Sequence, residues 1–479
     1  MPHAPSTQDD GRAFEWIGQL AHHAGPRYLQ IADFIEQALA EGRLKPGDRL
    51  PPQRRLAELL KVDLTTVTRA YDEARRRNLL VGQGARGTYA AAPKVELTQL
   101  LDLSMNIPPP PAGVDFDDLL RQGMSQVLMR TDSGLLMNYH LGGGSNADRA
   151  AGAVWLAPML GKVDPQDIVV CPGAQSALAA LVLALSRPGD AIVAEPVVYP
   201  GLRMAADELG RRLLPVAVDQ HGMLPAALEQ ACIKGQQRGQ RRVAMVYLNP
   251  TLQNPTTRTM PAARRRDILA VAERCGVQIV EDDPYWLLAD AATVPPPLAR
   301  LAPHQVHYIS TLSKCLAPGL RTAYVVLPDA PMRERFMGAL RSFALMSSPL
   351  PTALGTQWIH DGSAQRLLAG VKQEARLRQQ LAHQLLAGRT PADAHGAGDG
   401  IQEGIHIWLE LPGYWTARAL AQAAQDQGLA VTPSDAFSGG RPTSNAIRIS
   451  LGAIRERAQL AAALRKLSQL LATRPATGA

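Results

Sequence analysis

The sequence predicts two folded parts of different class: a small domain of three helices and a hairpin, then a large α/β domain with a mainly parallel sheet. Three observations carry this. At 479 residues the chain exceeds what a single hydrophobic core usually serves. Between residues 27 and 92, helix-period apolar patterns give way to a glycine-centred hairpin pattern. Past a stiff proline run at Pro108 to Pro111, short apolar stretches alternate with amphipathic ones, the pattern of parallel strands covered by helices.

Residues 1–26 read as a partly disordered lead-in. Residues 28–41 form an expected helix with Ile31, Phe34, Ile35, Ala38 and Leu39 on one face, ended by Gly42. Lys45-Pro46-Gly47-Asp48 is turn chemistry. Pro51-Pro52 can open a second helix, carrying Leu56, Ala57, Leu59 and Leu60. Asp63 is the expected N-cap of a third helix, with Val67, Ala70, Tyr71 and Ala74 at i, i+3, i+4, i+7. Apolar residues 79–81 and 88–90 flank Gly82 to Gly87 as a hairpin. The glycine spacing 82, 84, 87 matches a dinucleotide fingerprint in form alone, for no βαβ unit surrounds it.

Residues 93–105 are the expected linker, and residues 106–479 the large domain. Strands are expected at 168–170, 191–194, 243–247, 277–280 and 322–326. From residue 342 a smaller α+β part is expected: one long helix through Gln379, then strands within 404–411 and 446–451. The large subdomain would therefore end near residue 341 and the small one span 342–479.

Residues 27–92 carry 12 Arg and Lys against 8 Asp and Glu, a net +4 of the chain's +7. A small basic domain on a near-neutral large one points to a polyanion partner for the first. Early acidic residues, the lack of a run of about 20 apolar residues and four dispersed cysteines predict a cytoplasmic protein with no membrane span. No metal-ligand spacing is present.

The N-terminal helices and hairpin form a winged helix-turn-helix pattern. The motifs Leu44-Lys45-Pro46-Gly47-Asp48-Arg49-Leu50-Pro51, Arg54-Arg55-Leu56-Ala57, Thr65-Thr66-Val67-Thr68-Arg69-Ala70-Tyr71 and Gly84-Ala85-Arg86-Gly87-Thr88-Tyr89 resemble the GntR family. Thr65 and Thr66 open the third helix, where hydroxyls and free N–H groups meet phosphates or base edges. The DNA-binding residues expected on this basis are Arg54, Thr65, Thr66, Arg69 and Arg86. Leu64 stands where the family commonly has Arg; it can touch a thymine methyl but cannot make a bidentate contact to guanine. Arg75-Arg76-Arg77 reads as a solvated helix end.

In the whole chain 8 lysines stand against 42 arginines, so a lysine at a strand end of the large domain is conspicuous. Lys314, in Ser310-Thr311-Leu312-Ser313-Lys314, is followed by Pro318-Gly319-Leu320-Arg321. A Schiff-base lysine needs such a fixed position beside anion-binding groups. Asp282, ending another strand in Glu281-Asp282-Asp283-Pro284-Tyr285, can hold a pyridinium nitrogen protonated. Pro172-Gly173-Ala174-Gln175 opens a helix after a strand, a ready phosphate site.

The order and spacing of these motifs resemble class I/II aminotransferases of fold type I over roughly residues 100–475. The resemblance implies pyridoxal 5'-phosphate (PLP) carried by Lys314, the catalytic lysine of such a fold. It implies that Asp282 pairs with the pyridine nitrogen, Tyr285 and Asn254 meet the ring oxygen, and Tyr199 stacks on the ring. Ala174, Gln175, Thr311, Ser313 and Arg321 would hold the phosphate, and Tyr139 would reach the phosphate of a partner copy in a homodimer. Arg448 would clamp a substrate carboxylate. Two positions depart from the family pattern: Ala174 lacks the usual hydroxyl, and Thr257 stands where Gly is usual.

The two halves together resemble the MocR subfamily of GntR-type regulators. This implies a regulator that binds double-stranded operator DNA and senses PLP or an amino acid or amine effector. The alternative is a working aminotransferase that carries a DNA-binding domain.

Overall fold

The computed structural model describes residues 20, 25–77, 79–82, 87–91, 101–140, 142–237, 241–386, 403–438 and 444–474. The chain divides into two compact units, Met1–Gln99 and Leu100–Ala479.

In the first unit, helices Arg27–Ala40, Gln53–Leu60 and Leu64–Arg76 precede an antiparallel pair, Leu80–Gly82 and Thr88–Ala90. Ile31, Ile35, Leu56, Val67, Ala70 and Tyr71 close one core, as their helical spacing predicts. Tyr71 is buried, and its hydroxyl donates to the Pro51 carbonyl at 2.8 Å. The second and third helices are tied by Thr68, whose hydroxyl donates to Gln53 Oε1 at 2.8 Å. Asp63 sits at the N-cap of the third helix but makes no side-chain capping bond.

The second unit is built on a seven-stranded sheet in the order Ile168–Cys171, Ala323–Val326, Val306–Thr311, Gln278–Asp282, Val243–Leu248, Ala191–Ala194, Arg212–Pro215. All neighbours pair in parallel except Ala323–Val326, which runs antiparallel to both of its own. Every residue of Val243–Leu248 and Val306–Thr311 is buried; the first accordingly reads as a continuous apolar run, while the second buries His307, Ser310 and Thr311 among its apolar residues. Apolar clusters lie on both faces of the sheet, one around Leu156, Ile268 and Trp358, the other around Leu178, Leu202 and Phe336.

A smaller antiparallel sheet holds His406–Glu410, Ala446–Ser450 and Thr432–Pro433. Two expectations need revision here. The single long helix from residue 342 is broken. Helix Ala330–Phe343 ends first, Pro349–His360 follows, and Gly362, left-handed at φ 82°, separates it from Ser363–Leu385. The small part also recruits residues read as linker. Leu101–Asp102 pairs in parallel with Leu429–Ala430, and Leu103 is fully buried in the core with Leu409, Leu420 and Leu464. Residues 92–100 lie outside the described residues.

Candidate functional site

The carboxyl ends of the parallel strands share one edge of the large sheet, where open α/β folds bind ligands. Asp282 ends Gln278–Asp282, and Thr311 ends Val306–Thr311. Asn249 follows Val243–Leu248, and Gly173 follows Ile168–Cys171. The antiparallel strand Ala323–Val326 begins at the same edge, just after Arg321 and Thr322.

Lys314 is half-buried, and its Nζ donates to the Asn106 carbonyl. Burial, with help from Arg448 and Arg321, lowers its pKa to about 8 against the opposing pull of Asp282. Asp282 is 5% exposed; its Oδ2 accepts from the Tyr247 hydroxyl at 2.7 Å, and its Oδ1 is buried with no partner. Burial raises its pKa to about 6, while Tyr247 and Lys314 pull it down. Tyr285 is buried with its hydroxyl 2.9 Å from Asn106 Nδ2. Burial raises the Tyr199 phenol too, with Asp282, Arg321 and Arg448 close enough to act on it.

Asn254 is held by its own N–H on Asn249 Oδ1 at 2.7 Å and accepts from Arg448 Nη1 at 2.9 Å. Arg448 Nη2 donates to the Ser104 carbonyl, its Nε is buried without a partner, and its guanidinium lies 4.9 Å over the Phe437 ring. Lys314, Asp282, Tyr285, Asn254, Tyr199, Arg321 and Arg448 are thus brought to one place.

Beside them is a cradle for an anion. Helix Ala174–Leu185 starts at Gly173 with no side-chain cap, leaving its first N–H groups uncapped by any side chain. Gly173 has φ 91°, and a Cβ there would lie 2.8 Å from the Arg321 guanidinium, so only glycine admits that approach. Gln175 reaches away, its Nε2 on the Gly201 carbonyl at 3.0 Å. Thr311 Oγ lies 3.1 Å from Ser313 Oγ and accepts from the Ser313 N–H at 3.2 Å. Thr257 is left-handed at φ 61°, the conformation for which glycine is usual, so threonine preserves the turn at a steric cost. Tyr139 is 72% exposed on the chain's own surface.

Sequence reasoning missed Asn106, Tyr247, Asn249 and His406, all part of this cluster. Two signals were available: a tyrosine in a continuous apolar strand needs a hydroxyl partner, and Asn249-Pro250 directly follows a strand end.

In the first unit Arg54 is exposed on the second helix; Leu64 and Thr65 are exposed and Thr66 is half-buried at the start of the third, and Arg69 is exposed near its middle. Arg69 stacks 4.7 Å over the Tyr28 ring. Arg86 lies outside the described residues. Arg75, Arg76 and Arg77 are each paired with acids, to Asp72, to Glu73, and to Asp33, Glu36 and Glu73 respectively.

Comparison with known proteins agrees with both units. The model for bacterial regulatory proteins of the gntR family matches residues 27–90, and that for aminotransferase class I and II matches residues 98–467. The chain is 30% identical over 478 residues to the HTH-type transcriptional regulator YdeF of Bacillus subtilis, covering 98% of this chain and 99% of that one. The chain belongs to the MocR subfamily of GntR-type regulators. This MocR regulator is also 27% identical over 441 residues to the vitamin B6 salvage pathway transcriptional repressor PtsJ of Salmonella typhimurium, covering 89% of this chain and 94% of that one. It overlays LysN, the alpha-aminoadipate aminotransferase of Thermus thermophilus, with TM-score 0.68 and 25% identity over 78% of this chain and 92% of that one. The cofactor of the MocR regulator's large unit is PLP. Its residues fit that group: an unspent Asp282 oxygen, a lysine whose pKa is lowered to about 8, and a glycine cradle faced by Arg321. Among the described residues no helix is long and apolar enough to cross a membrane, and no group of three or more His, Cys, Asp or Glu could hold a metal.

Proposed function

We propose that this regulator works in the cytoplasm as a homodimer that senses an amino acid or amine at its PLP site and answers with a changed affinity for double-stranded operator DNA. The observation that carries the reading is Lys314. It is the one lysine enclosed with both a buried carboxylate, Asp282, and a buried guanidinium, Arg448, acting on it among the described residues. PLP, when bound, supplies a reactive aldehyde and an electron-withdrawing ring. Lys314 offers the amine that carries it. Asp282, with its free oxygen, would hold the pyridine nitrogen, Tyr285 and Asn254 would hold the ring oxygen, and Tyr199 would stack on the ring. Ala174, Gln175, Thr311, Ser313 and Arg321 would hold the phosphate, joined in a homodimer by Tyr139 of the other copy.

Arg448 receives the effector's carboxylate. Its guanidinium is held by the Ser104 carbonyl and Asn254, so a carboxylate arriving there competes with the main chain. Ser104 and Asn106 lie in the first segment described after residues 92–100. Effector binding therefore changes contacts of the chain that leads to the DNA-binding unit, the differential interaction that a switch requires. In that unit Arg54, Thr65, Thr66, Arg69 and Arg86 face DNA. A dimer with two such heads reads two half-sites at a restricted spacing.

A second reading, a working aminotransferase with a DNA-binding unit attached, draws on the same complete cluster. One experiment separates them: PLP-loaded protein is titrated with a panel of amino acids and amines, following visible absorbance and DNA mobility shift in parallel. The sensing reading expects a stable spectral change accompanied by changed DNA affinity, lost in Arg448→Ala. Turnover with a keto acid and no change in DNA affinity would establish the enzyme instead.

A further inference from the structure

Asn106 is 6% exposed, and its contacts join segments far apart in the chain. Its Nδ2 lies 2.9 Å from the Tyr285 hydroxyl and 3.2 Å from His406 Nδ1. An amide nitrogen donates only, and it carries two hydrogens. Both are spent here, one on the phenol oxygen and one on the imidazole. His406 Nδ1 must then be an acceptor, so the ring is neutral with its hydrogen on Nε2. Burial beside Arg448 holds it so, with a pKa lowered to about 3. A phenol has a single hydrogen. Because the Tyr285 oxygen accepts from Asn106, that hydrogen cannot point at Asn106 and is left for the cluster. The Asn106 main-chain carbonyl meanwhile accepts from Lys314 Nζ. One residue therefore touches both the lysine and the tyrosine of the PLP site.

We infer that Asn106 is a positioning residue of that site, which aims the hydrogen of Tyr285 at the cofactor's ring oxygen and so sets the proton affinity of the lysine-linked cofactor. The inference rests on the roles proposed above for Lys314 and Tyr285. A hydrogen bond to the ring oxygen stabilises negative charge there. The Lys314 nitrogen, once it carries the cofactor, would then hold its own proton less tightly. Without Asn106 the Tyr285 hydrogen is free to rotate, the ring oxygen is less well stabilised, and that nitrogen binds its proton more tightly. The opposite amide orientation predicts the opposite sign, because Asn106 Oδ1 would draw the Tyr285 hydrogen away.

The charged or titratable groups that act on Lys314 are Arg448, Asp282 and Arg321; those acting on Tyr285 are Arg448, Asp282 and Tyr199. None is altered by changing Asn106, and His406 stays uncharged. A shift in an Asn106 variant therefore reports the directed hydrogen.

The test uses full-length protein loaded with PLP and the pH midpoint of its visible absorbance. Asn106→Leu keeps the size of the side chain and removes its donor. The midpoint is expected to rise by about one pH unit, a tenfold gain in proton affinity. In a Tyr285→Phe background the same substitution is expected to add nothing, since Asn106 acts through the phenol. Asn106→Ser, whose hydroxyl is too short to reach Tyr285, gives the same measurement should the leucine variant fail to fold. An unchanged midpoint, a downward shift, or a full shift persisting in Tyr285→Phe overturns the inference while leaving PLP on Lys314. A wild-type protein with no visible band after PLP loading rejects the Lys314 reading, and this inference with it.

Discussion

Lys314 makes the sharpest quantitative prediction, because only its neutral amine can attack the PLP aldehyde. With a pKa lowered to about 8, about a quarter of Lys314 is neutral at pH 7.5, against about one in a thousand for a lysine at its ordinary value. The local arrangement therefore raises the reactive fraction roughly 250-fold at that pH. The sign follows from the cause: burial and the Arg448 and Arg321 cations disfavour the ammonium, so the reactive form grows as pH rises through about 8. Mixing cofactor-free protein with PLP in a stopped-flow absorbance experiment from pH 6 to 10 should show the second-order rate climbing tenfold per unit and levelling near 8. Arg448→Leu removes the larger of the two cations that lower this pKa and should move the break up by about one unit. A wild-type break near the ordinary lysine value would refute the claim that the enclosure tunes Lys314. A break unmoved by Arg448→Leu would refute the assigned electrostatic cause. Lys314→Ala, lacking the amine, should give no visible band at any pH.

Three further outcomes are expected. Tyr247→Phe removes the hydrogen bond at 2.7 Å that supports the Asp282 carboxylate, and the dissociation constant for PLP should rise about tenfold in an equilibrium absorbance titration. Asp283 is buried with one carboxyl oxygen unpartnered, and burial beside Glu281 pushes its pKa up. A carboxyl raised on folding costs stability increasingly as pH climbs from its unfolded value through its folded one, so Asp283→Asn should raise the melting temperature more at pH 8 than at pH 5. In the first unit, Arg54→Ala should weaken DNA binding and make the slope of log affinity against log salt shallower by about 0.9, measured by fluorescence anisotropy. An unchanged slope would mean that Arg54 meets no phosphate.

What was legible in the sequence is what local pattern specifies. The helices of the first unit followed from 3.6-residue spacing and from Pro51-Pro52 and Asp63 at their starts. The buried strands followed from continuous apolar runs, and Lys314 and Asp282 from their places at strand ends. The direction of Ala323–Val326 was not legible, because an apolar run carries no sign of whether its neighbours run parallel. The break at residue 362 has a signal, Asp361-Gly362, but glycine within a helical pattern is often tolerated, so that pair alone does not mark a helix end.

The site itself divides in the same way. Residues that act from a motif were visible, while those that act through a contact were not. Asn106 meets Tyr285 across 179 residues of sequence and His406 across 300, and nothing near Asn106 marks either partner. Its neighbourhood read as linker because Leu101 to Met105 have no long apolar period, yet Leu103 is fully buried and Ser104 gives its carbonyl to Arg448. The reason is geometric: a two-residue strand paired with Leu429–Ala430 is too short to leave a periodic trace. It helps to fix the backbone from which the Ser104 and Asn106 carbonyls accept from Arg448 and Lys314. The segment is therefore held in three ways at once, by pairing with Leu429–Ala430, by the burial of Leu103 and by its carbonyls on Arg448 and Lys314, and only the first two could have left a mark in the sequence around them.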